Sequence, residues 1–424
     1  MTCFFVFAMN ARAQNGETLT LAEAIRLAVD KAPTSLEAQA ALDAAKSHVD
    51  EIDSYAYPHL AADASYTRID PVISIPFGNQ VFTTQPNNNY NGNLNVQQLI
   101  TAFGREGAND RAARSGIKTA EDNLSGAKTM AAFQTVQVYY ALLTTDEAIR
   151  VENDQLKVLN DDLGISEQRE KQGVSTSLDP LSTKVRISTI QSQISDLSSS
   201  RKKQESGLRR LVGFKPGVHI SVTRPGGGTK LPENIDALDS MAEKSRSEIL
   251  VAEDAENTAH LEVEALKQAN NPVLTANVMG GYKDGYLPNL TQGKLNWMGG
   301  VSLHIPILDG GLVSSQVDQA EADYRAAQAR TEDAKLGVQS DIEQALADIE
   351  SSRARLALTD AQIAEAQQAL DVAQVRYKNG AATNLDVLTA QEALEQAQLQ
   401  QAQLRFSYDL SEYNLNRAVG IQMW

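Results

Sequence analysis

The sequence predicts a mainly α-helical chain with a β-barrel part, built from one structural unit that occurs twice. Three observations predict this fold class: an internal duplication, apolar side chains that recur every seven residues, and short segments with strict two-residue alternation. Each copy reads as a helix, a β-hairpin and a very long helical hairpin. We expect the strands to belong to a β-barrel that several copies of the chain close together.

Composition excludes several classes of protein. The chain has 424 residues, of which 42% are hydrophobic and only 5% aromatic, and its net charge is −16. An acidic surface argues against nucleic-acid binding, because phosphate recognition needs clustered positive charge. A single cysteine, Cys3, excludes a disulfide framework and a cysteine-rich metal site.

The N-terminal segment resembles a signal peptide. Residues 3–9 are apolar and precede Ala-Arg-Ala at 11–13, a small-x-small pattern typical of signal-peptidase cleavage. We expect residues 1–13 to be removed, although a basic start is missing. Cys3 reads as part of the apolar region, with a lipid anchor as the alternative. Cleavage would remove one base, Arg12, and no acid, so the mature chain would carry −17.

The duplication shows at an offset of 207 residues. Residues 104–213 align with 311–420 without a gap, and 24 of these 110 positions are identical. A glycine-rich stretch separates the copies. The predicted organisation is a first repeat over 14–223 with strands at about 59–69 and 90–99 and a helical hairpin at 104–213; a linker over 224–234; and a second repeat over 235–424 with strands at about 272–282 and 295–305 and a helical hairpin at 311–420.

Each copy should begin with one helix, over roughly 20–56 and 235–270. The long helical hairpins are indicated by a heptad seam, in which large apolar residues face small ones. The second copy carries the clearest seam, at Ile342, Ile349, Leu356, Ile363, Leu370 and Tyr377. A helix from about 104 to 171 would be about 100 Å long, which no globular core requires.

The strands are indicated by alternation of apolar and polar residues. Segments of about ten residues with this pattern are typical of membrane β-barrels, and the alternative is a pair of hairpins half-buried in a soluble sheet. Four strands cannot close a barrel, so several chains must contribute. The predicted lipid-facing residues are Tyr90, Leu94, Val96, Trp297, Val301 and Leu303.

The two hairpin tips share a motif with a simple structural explanation. Gly173 and Gly380 can end a helix in the left-handed conformation. Thr176 and Thr383 can cap the returning helices, with Asp179 and Asp386 in their first turns, where negative charge suits the helix dipole. This structural role and an additional functional role both remain open from the residues alone.

Other candidate sites are weak. His260 and Glu264 share a helix face without a third ligand, so a solvated pair is the simpler interpretation than a metal site. Asp309-Gly310-Gly311 precedes a helix as a phosphate loop would, yet it lacks the Gly-Lys-Ser/Thr sequence, and we interpret it as a turn. No local arrangement of a catalytic triad occurs. We therefore expect no enzyme, no cofactor and no metal.

The repeated organisation, the turn sequence from His304 to Gly311 and the motif Arg-Tyr-x-x-Gly-x-x-Thr-x-Leu-Asp-Val-Leu at 376–388 resemble the TolC-like outer membrane efflux proteins. The resemblance implies a homotrimer in the outer membrane, in which each chain gives four strands to a twelve-stranded barrel above an α-helical periplasmic tunnel. It further implies that the trimer works with a periplasmic adaptor and an inner-membrane transporter. It also implies a resting gate formed by tip residues, which would contact the adaptor: Asp179, Tyr377, Asp386, Gly173, Gly380, Thr176, Thr383, Leu178 and Leu385.

Two tip positions depart from some members of that family. Ala382 stands where a bridging arginine can occur, and Thr389 where a second ring aspartate can occur, so the gate is looser or is held by other bonds. We expect an exit duct for efflux or type I secretion. The alternative is a periplasmic or surface coiled-coil scaffold or adhesin stalk without transport. The exported substrate does not follow from the sequence.

Overall fold

The computed structural model describes residues 17–225, 231–232 and 234–424. The predicted signal peptide, 1–13, and most of the glycine-rich part of the predicted linker lie outside these residues. The chain forms two compact units. Unit 1 comprises the described part of Met1–Gln39, together with Asp122–Leu250 and Ala334–Trp424; unit 2 comprises Ala40–Glu121 and Val251–Asp333.

The elements follow one another in the order that the duplication predicts, with some additions. In chain order they are β1 Glu17–Leu19, α1 Leu21–Lys31, α2 Pro33–Ser54, β2 His59–Arg68, β3 Ser74–Phe77, β4 Gln80–Thr83, β5 Asn88–Thr101, α3 Arg105–Lys171, α4 Leu178–Val212, β6 Ile220–Val222, α5 Ile235–Ser245, α6 Ser247–Lys267, β7 Val273–Lys283, β8 Lys294–His304, α7 Leu312–Lys378 and α8 Asn384–Ala418.

Unit 2 contains the main sheet. Its four strands are antiparallel in the order β2-β5-β7-β8, so the two copies pair through β5 and β7. Within the described residues, the edge strands β2 and β8 each have one hydrogen-bonded neighbour in this sheet. Two long edges are therefore left for pairing with other strands.

Unit 1 contains four apolar clusters and the larger part of the helical hairpins, since α3 belongs to it from Asp122 onwards and α7 from Ala334 onwards. The heptad seam of α7 lies in this interior, with Ile342 fully buried and Leu370 only 7% exposed. Small residues, such as Ala345 at 0% exposure, alternate with these large ones along the seam. Close helix packing follows from this pattern, because small side chains leave room for large ones opposite.

The first helical segment of each copy consists of two helices, whereas the sequence predicted one continuous helix. In the first copy α1 ends at Lys31, and Ala32 after it is extended because Pro33 disfavours helical backbone in the residue before it. In the second copy Arg246 is extended between α5 and α6. Its buried guanidinium donates to Asp341 at 2.7 Å, to the carbonyl of Arg417 at 2.6 Å and to the nearby Glu248 at 2.8 Å.

Two further elements were not expected. Between the first two predicted strands, within residues 70–89, β3 and β4 pair as a short hairpin. In unit 1, β1 and β6 form a short parallel pair. The buried Tyr139 hydroxyl lies 2.8 Å from the Leu19 carbonyl and 2.7 Å from the Thr223 carbonyl, either of which can accept its one hydrogen, and it accepts from the Thr223 amide at 3.0 Å. No helix within 17–225, 231–232 and 234–424 is both long and apolar enough to cross a bilayer.

Candidate functional site

The tips of the α3–α4 and α7–α8 hairpins, both in unit 1, are the candidate site. The chain reverses at Gly173 and Gly380, whose φ angles are 75° and 73°. In both turns an amide donates to a carbonyl five residues earlier, from Val174 to Arg169 and from Ala381 to Arg376. This pattern ends a helix with a left-handed glycine, as the sequence indicated.

The second tip is closed by a reciprocal cap. The Thr383 hydroxyl accepts from the Asp386 amide at 3.3 Å, and the Asp386 carboxylate accepts from the Thr383 amide at 2.7 Å. These bonds to Thr383 lower the pKa of Asp386, which therefore stays ionised at the helix N-terminus. Asp386 thus caps α8, the helix to which it belongs, in this structure.

The first tip differs, and the expectation that Thr176 caps α4 is wrong. The residue that precedes α4 is Ser177, which has helical backbone angles and makes no side-chain capping bond. The helix begins one residue later than its counterpart. The Asp179 carboxylate, which the duplication would assign to a capping box, is directed to the other hairpin.

Tyr377 contacts the first hairpin from the second. Its hydroxyl donates to the Asp179 carboxylate at 3.3 Å, and the Arg169 guanidinium lies 4.7 Å from the centre of its ring. Burial and then the Asp179 charge raise the pKa of Tyr377, so the phenol remains a hydrogen-bond donor at neutral pH. Tyr377 and Asp179 were both predicted as tip residues. Arg169 was not, because the Tyr377 ring that it contacts lies more than 200 residues away in the chain.

Asn384 also joins the tips and was not predicted. It is 5% exposed, and its amide nitrogen donates to the Asp179 carbonyl and to the Thr183 hydroxyl, both at 3.1 Å. No local signal marks such an asparagine, because the first residue of a helix tolerates many side chains. Beyond these bonds, Leu178 and Leu385 are 67% and 68% exposed at the tips.

The predicted lipid-facing residues lie on the apolar face of the main sheet in unit 2. Trp297 is 81% exposed and Val301 66%, and Tyr90, Leu94 and Leu303 are exposed as well. Val96 is only half-buried, because it lies between Leu60 and Val278 on the neighbouring strands. Contact of these side chains with lipid stays a prediction.

A buried acid lies deeper in the helical part of unit 1. Glu152 is 2% exposed, and its Oε2 accepts no hydrogen bond from the described residues. Burial, with the charge of Glu395, raises its pKa to about 7. Arg186 partly offsets this effect, although its own short bond, 2.7 Å, is to Glu395. Glu152 and Glu395 were not predicted as neighbours, since they come from different hairpins.

Two weaker candidates have structural explanations. The Asp309 carboxylate accepts from the amides of Gly311 and Val313 and from Asn270, and these bonds lower its pKa to about 2. It therefore caps α7 itself, where a phosphate loop would hold an anion. The His260 ring is tilted against the Tyr324 ring at a centre-to-centre distance of 5.4 Å, and the described residues contain no group of three or more potential metal ligands.

Each helical hairpin pairs a 67-residue helix with a 35-residue helix, and the four-stranded sheet has one apolar exposed face and two open edges. These elements are typical of the class of outer membrane channels that have a barrel and a helical tunnel. The chain belongs to the outer membrane efflux protein family, whose model matches residues 24–214 and 238–421. Membership confirms the predicted fold class and locates the chain in the outer membrane.

Individual relatives are distant. The outer membrane protein TolC of Escherichia coli strain K12 is 23% identical over 297 residues, which cover 68% of this chain and 60% of TolC. The matched region thus spans less than two thirds of that relative's length. The outer membrane efflux protein BepC of Brucella suis biovar 1 is 25% identical over 74% of this chain and 68% of its own. These names denote membrane and efflux proteins, not enzymes.

Solved structures share the fold. The outer membrane channel CmeC of Campylobacter jejuni superimposes with a TM-score of 0.82 at 18% identity and covers 98% of this chain and 90% of its own. At this identity the likeness establishes architecture alone. The internal duplication, the long hairpins and the four strands are therefore properties of a known architecture.

Proposed function

We propose that this chain forms the outer membrane exit duct of a tripartite efflux pump or of a type I secretion system. It would conduct substrates from the periplasm to the exterior, with energy supplied by its partners. The observation that carries the proposal is the four-stranded sheet with two open edges on a chain that also contains two 67-residue helices. Family membership supports it.

We infer a homotrimer. An open sheet edge leaves amide and carbonyl groups unpaired, which hydrocarbon does not tolerate, so β8 of one copy should pair with β2 of the next. Three copies would give a closed barrel of twelve strands, with the exposed apolar face towards lipid and the asparagines of β5 towards the lumen.

The proposed partners are a periplasmic adaptor and an inner-membrane transporter. A passive duct has no energy source of its own, so an export complex needs a transporter in the inner membrane and a protein that joins the two. The exposed Leu178 and Leu385 at the hairpin tips are apolar groups that such an adaptor can cover. The name of one relative, BepC, describes it as an outer membrane efflux protein.

The hairpin tips would form the resting gate. The bond from Tyr377 to Asp179 joins two hairpins of one chain, and the trimer contains it three times. A hydrogen bond to a charged group contributes about 1.5–3 kcal/mol, although the 3.3 Å distance favours the lower end of this range. Adaptor binding would have to offset these contacts before the tips separate.

Single-channel recording in planar lipid bilayers tests the function and the gate together. The purified trimer should conduct ions in a low-conductance resting state, and Tyr377→Phe should raise resting conductance because it removes the donor and keeps the ring. Tyr324→Phe, a half-buried tyrosine of the same helix, is the matched control. A protein that never conducts would contradict the duct, whereas conduction with unchanged Tyr377→Phe behaviour would contradict only the gate.

Cell fractionation separates the duct from the alternative of a coiled-coil scaffold or adhesin stalk. A duct must be found in the outer membrane, with the loops at 70–89 and 283–294 accessible to proteases or labels added outside the cell. A scaffold would be released with the periplasmic fraction, and a surface stalk would expose its helices to the same reagents. The relatives favour the duct.

A further inference from the structure

The first turn of α4 lacks the support that its counterpart possesses. Ser177, which precedes α4, makes no side-chain capping bond, whereas Thr383 and Asp386 cap α8 reciprocally. A helix whose first amides have no side-chain acceptor frays more readily than a capped one. The N-terminal end of α4 nevertheless bears Asp179, the residue that the proposed gate requires in a fixed position.

A side chain of the second hairpin supplies contacts at this end. Asn384 donates from one nitrogen to the Asp179 carbonyl and to the Thr183 hydroxyl, and the Thr183 hydroxyl donates in turn to the same carbonyl. Thr183 is fully buried and Asn384 nearly so. The three groups form a closed network away from bulk water, where an unmade hydrogen bond is costly.

The capping box of α8 holds Asn384 in place. Asn384 is the first residue of α8 and directly follows Thr383, so the reciprocal bonds of Thr383 and Asp386 fix its backbone. Its equivalent in the first copy is Ser177, which is too short to make the same reach. The asymmetry means that one hairpin supplies the donor and the other the acceptors.

We propose that Asn384 is a positioning residue of the gate: it holds the first turn of α4 through the Asp179 backbone, while Tyr377 holds the Asp179 carboxylate. The inference rests on the proposed function, because it takes the tips to be the movable end of a duct.

Hydrogen exchange measured by mass spectrometry on the detergent-solubilised trimer tests the positioning role without reference to conduction. Asn384→Leu removes both donated bonds and keeps a side chain of similar size. We expect amides at 176–183, in the other hairpin, to exchange about fivefold faster or more, as expected for loss of a hydrogen bond that contributes to local stability. Ser177→Ala is the matched control, since it changes the equivalent position without removing a capping bond.

The pattern of exchange distinguishes the possible results. Faster exchange confined to 381–390 would mean that Asn384 only starts its own helix, and would overturn the inference. Unchanged exchange in both segments would overturn it as well. Asn384→Gln, which retains the amide, should recover part of the protection at 176–183. If Asn384→Leu unfolds the whole tip and Asn384→Gln recovers no protection, the positioning role of Asn384 would be contradicted.

Resting conductance then separates the inference from the proposed function. Faster exchange at 176–183 together with raised resting conductance would support both. Faster exchange with unchanged conductance would keep Asn384 as the residue that orders the tip and would show that the tips are not the gate. Asn384→Leu and Tyr377→Phe both release Asp179, so their combined effect on conductance should be less than additive.

Discussion

Replacing Glu152 by glutamine should remove a pH-dependent loss of stability from the helical part of unit 1. The acid is 2% exposed, and its pKa is raised to about 7 from 4.5. A group with a raised pKa in the folded protein binds a proton more tightly there than in the unfolded chain. Glu152 therefore contributes most to the free energy of unfolding below pH 4.5, and this contribution is lost as the pH rises towards 7.

The size of the effect follows from the shift. One pKa unit corresponds to about 1.4 kcal/mol, which gives an upper limit of about 3 kcal/mol per chain between pH 4.5 and 7. Effective dielectric values inside real proteins are higher than those of a dry interior, so we expect about 1–2 kcal/mol. At the usual unfolding entropy per residue, this corresponds to an apparent melting temperature about 1–2 °C lower for a chain of this length.

Two measurements test the reasoning. Infrared difference spectroscopy of wild type against Glu152→Gln should show a protonated carboxyl band that disappears near pH 7 and is missing from the variant. Thermal denaturation should show the variant to be more stable than wild type at pH 8 and similar to it at pH 5. Glu350→Gln, at an exposed position of α7, is the control. A band that titrates near 4.5, or melting curves with the same pH dependence, would refute the burial argument.

Three further predictions concern other parts of the molecule. Val301→Lys should prevent trimer formation, measured by light scattering in detergent, because a lysine on the lipid face costs about 2–4 kcal/mol near the bilayer midplane, whereas Ser302→Lys should leave the trimer mass unchanged. Thr383→Ala should destabilise its tip by about 1 kcal/mol and accelerate amide exchange there, whereas Thr176→Ala, which removes no cap, should not. Reversal potentials across a salt gradient should show cation preference, since the chain carries −16; anion preference would mean that the acids lie away from the pore.

The strands and long helices could be predicted because their signals are local. Alternation over ten residues and a heptad seam over sixty are repeated many times within one element, so a few exceptions do not obscure them. The break before Pro33 also had a local signal, because proline disfavours helical backbone in the residue before it. That break was nevertheless not predicted. The break at Arg246 had none, because it depends on Asp341 and on a carbonyl near the C-terminus.

The candidate site was predicted only in part, for the same reason. Gly173 and Gly380 show their conformation through residue type alone, and Tyr377 and Asp179 belong to a motif. The bonds of Asn384 and the burial of Glu152 require partners about 200 residues away. The prediction that Thr176 caps α4 was wrong because the duplication implies the same cap at both tips, whereas the two tips have different surroundings.

Divergence between the copies is what allows the tips to bind each other. Asp179 and Asp386 are equivalent, and two identical hairpins would offer the same acceptors to one another. The second copy has Tyr377 and Asn384 where the first has Glu170 and Ser177. Both changes introduce hydrogen-bond donors on one side only, and both donate to Asp179. Because a glutamate at 377 would face that carboxylate with like charge, loss of symmetry at these two positions turns a repulsive contact into an attractive one.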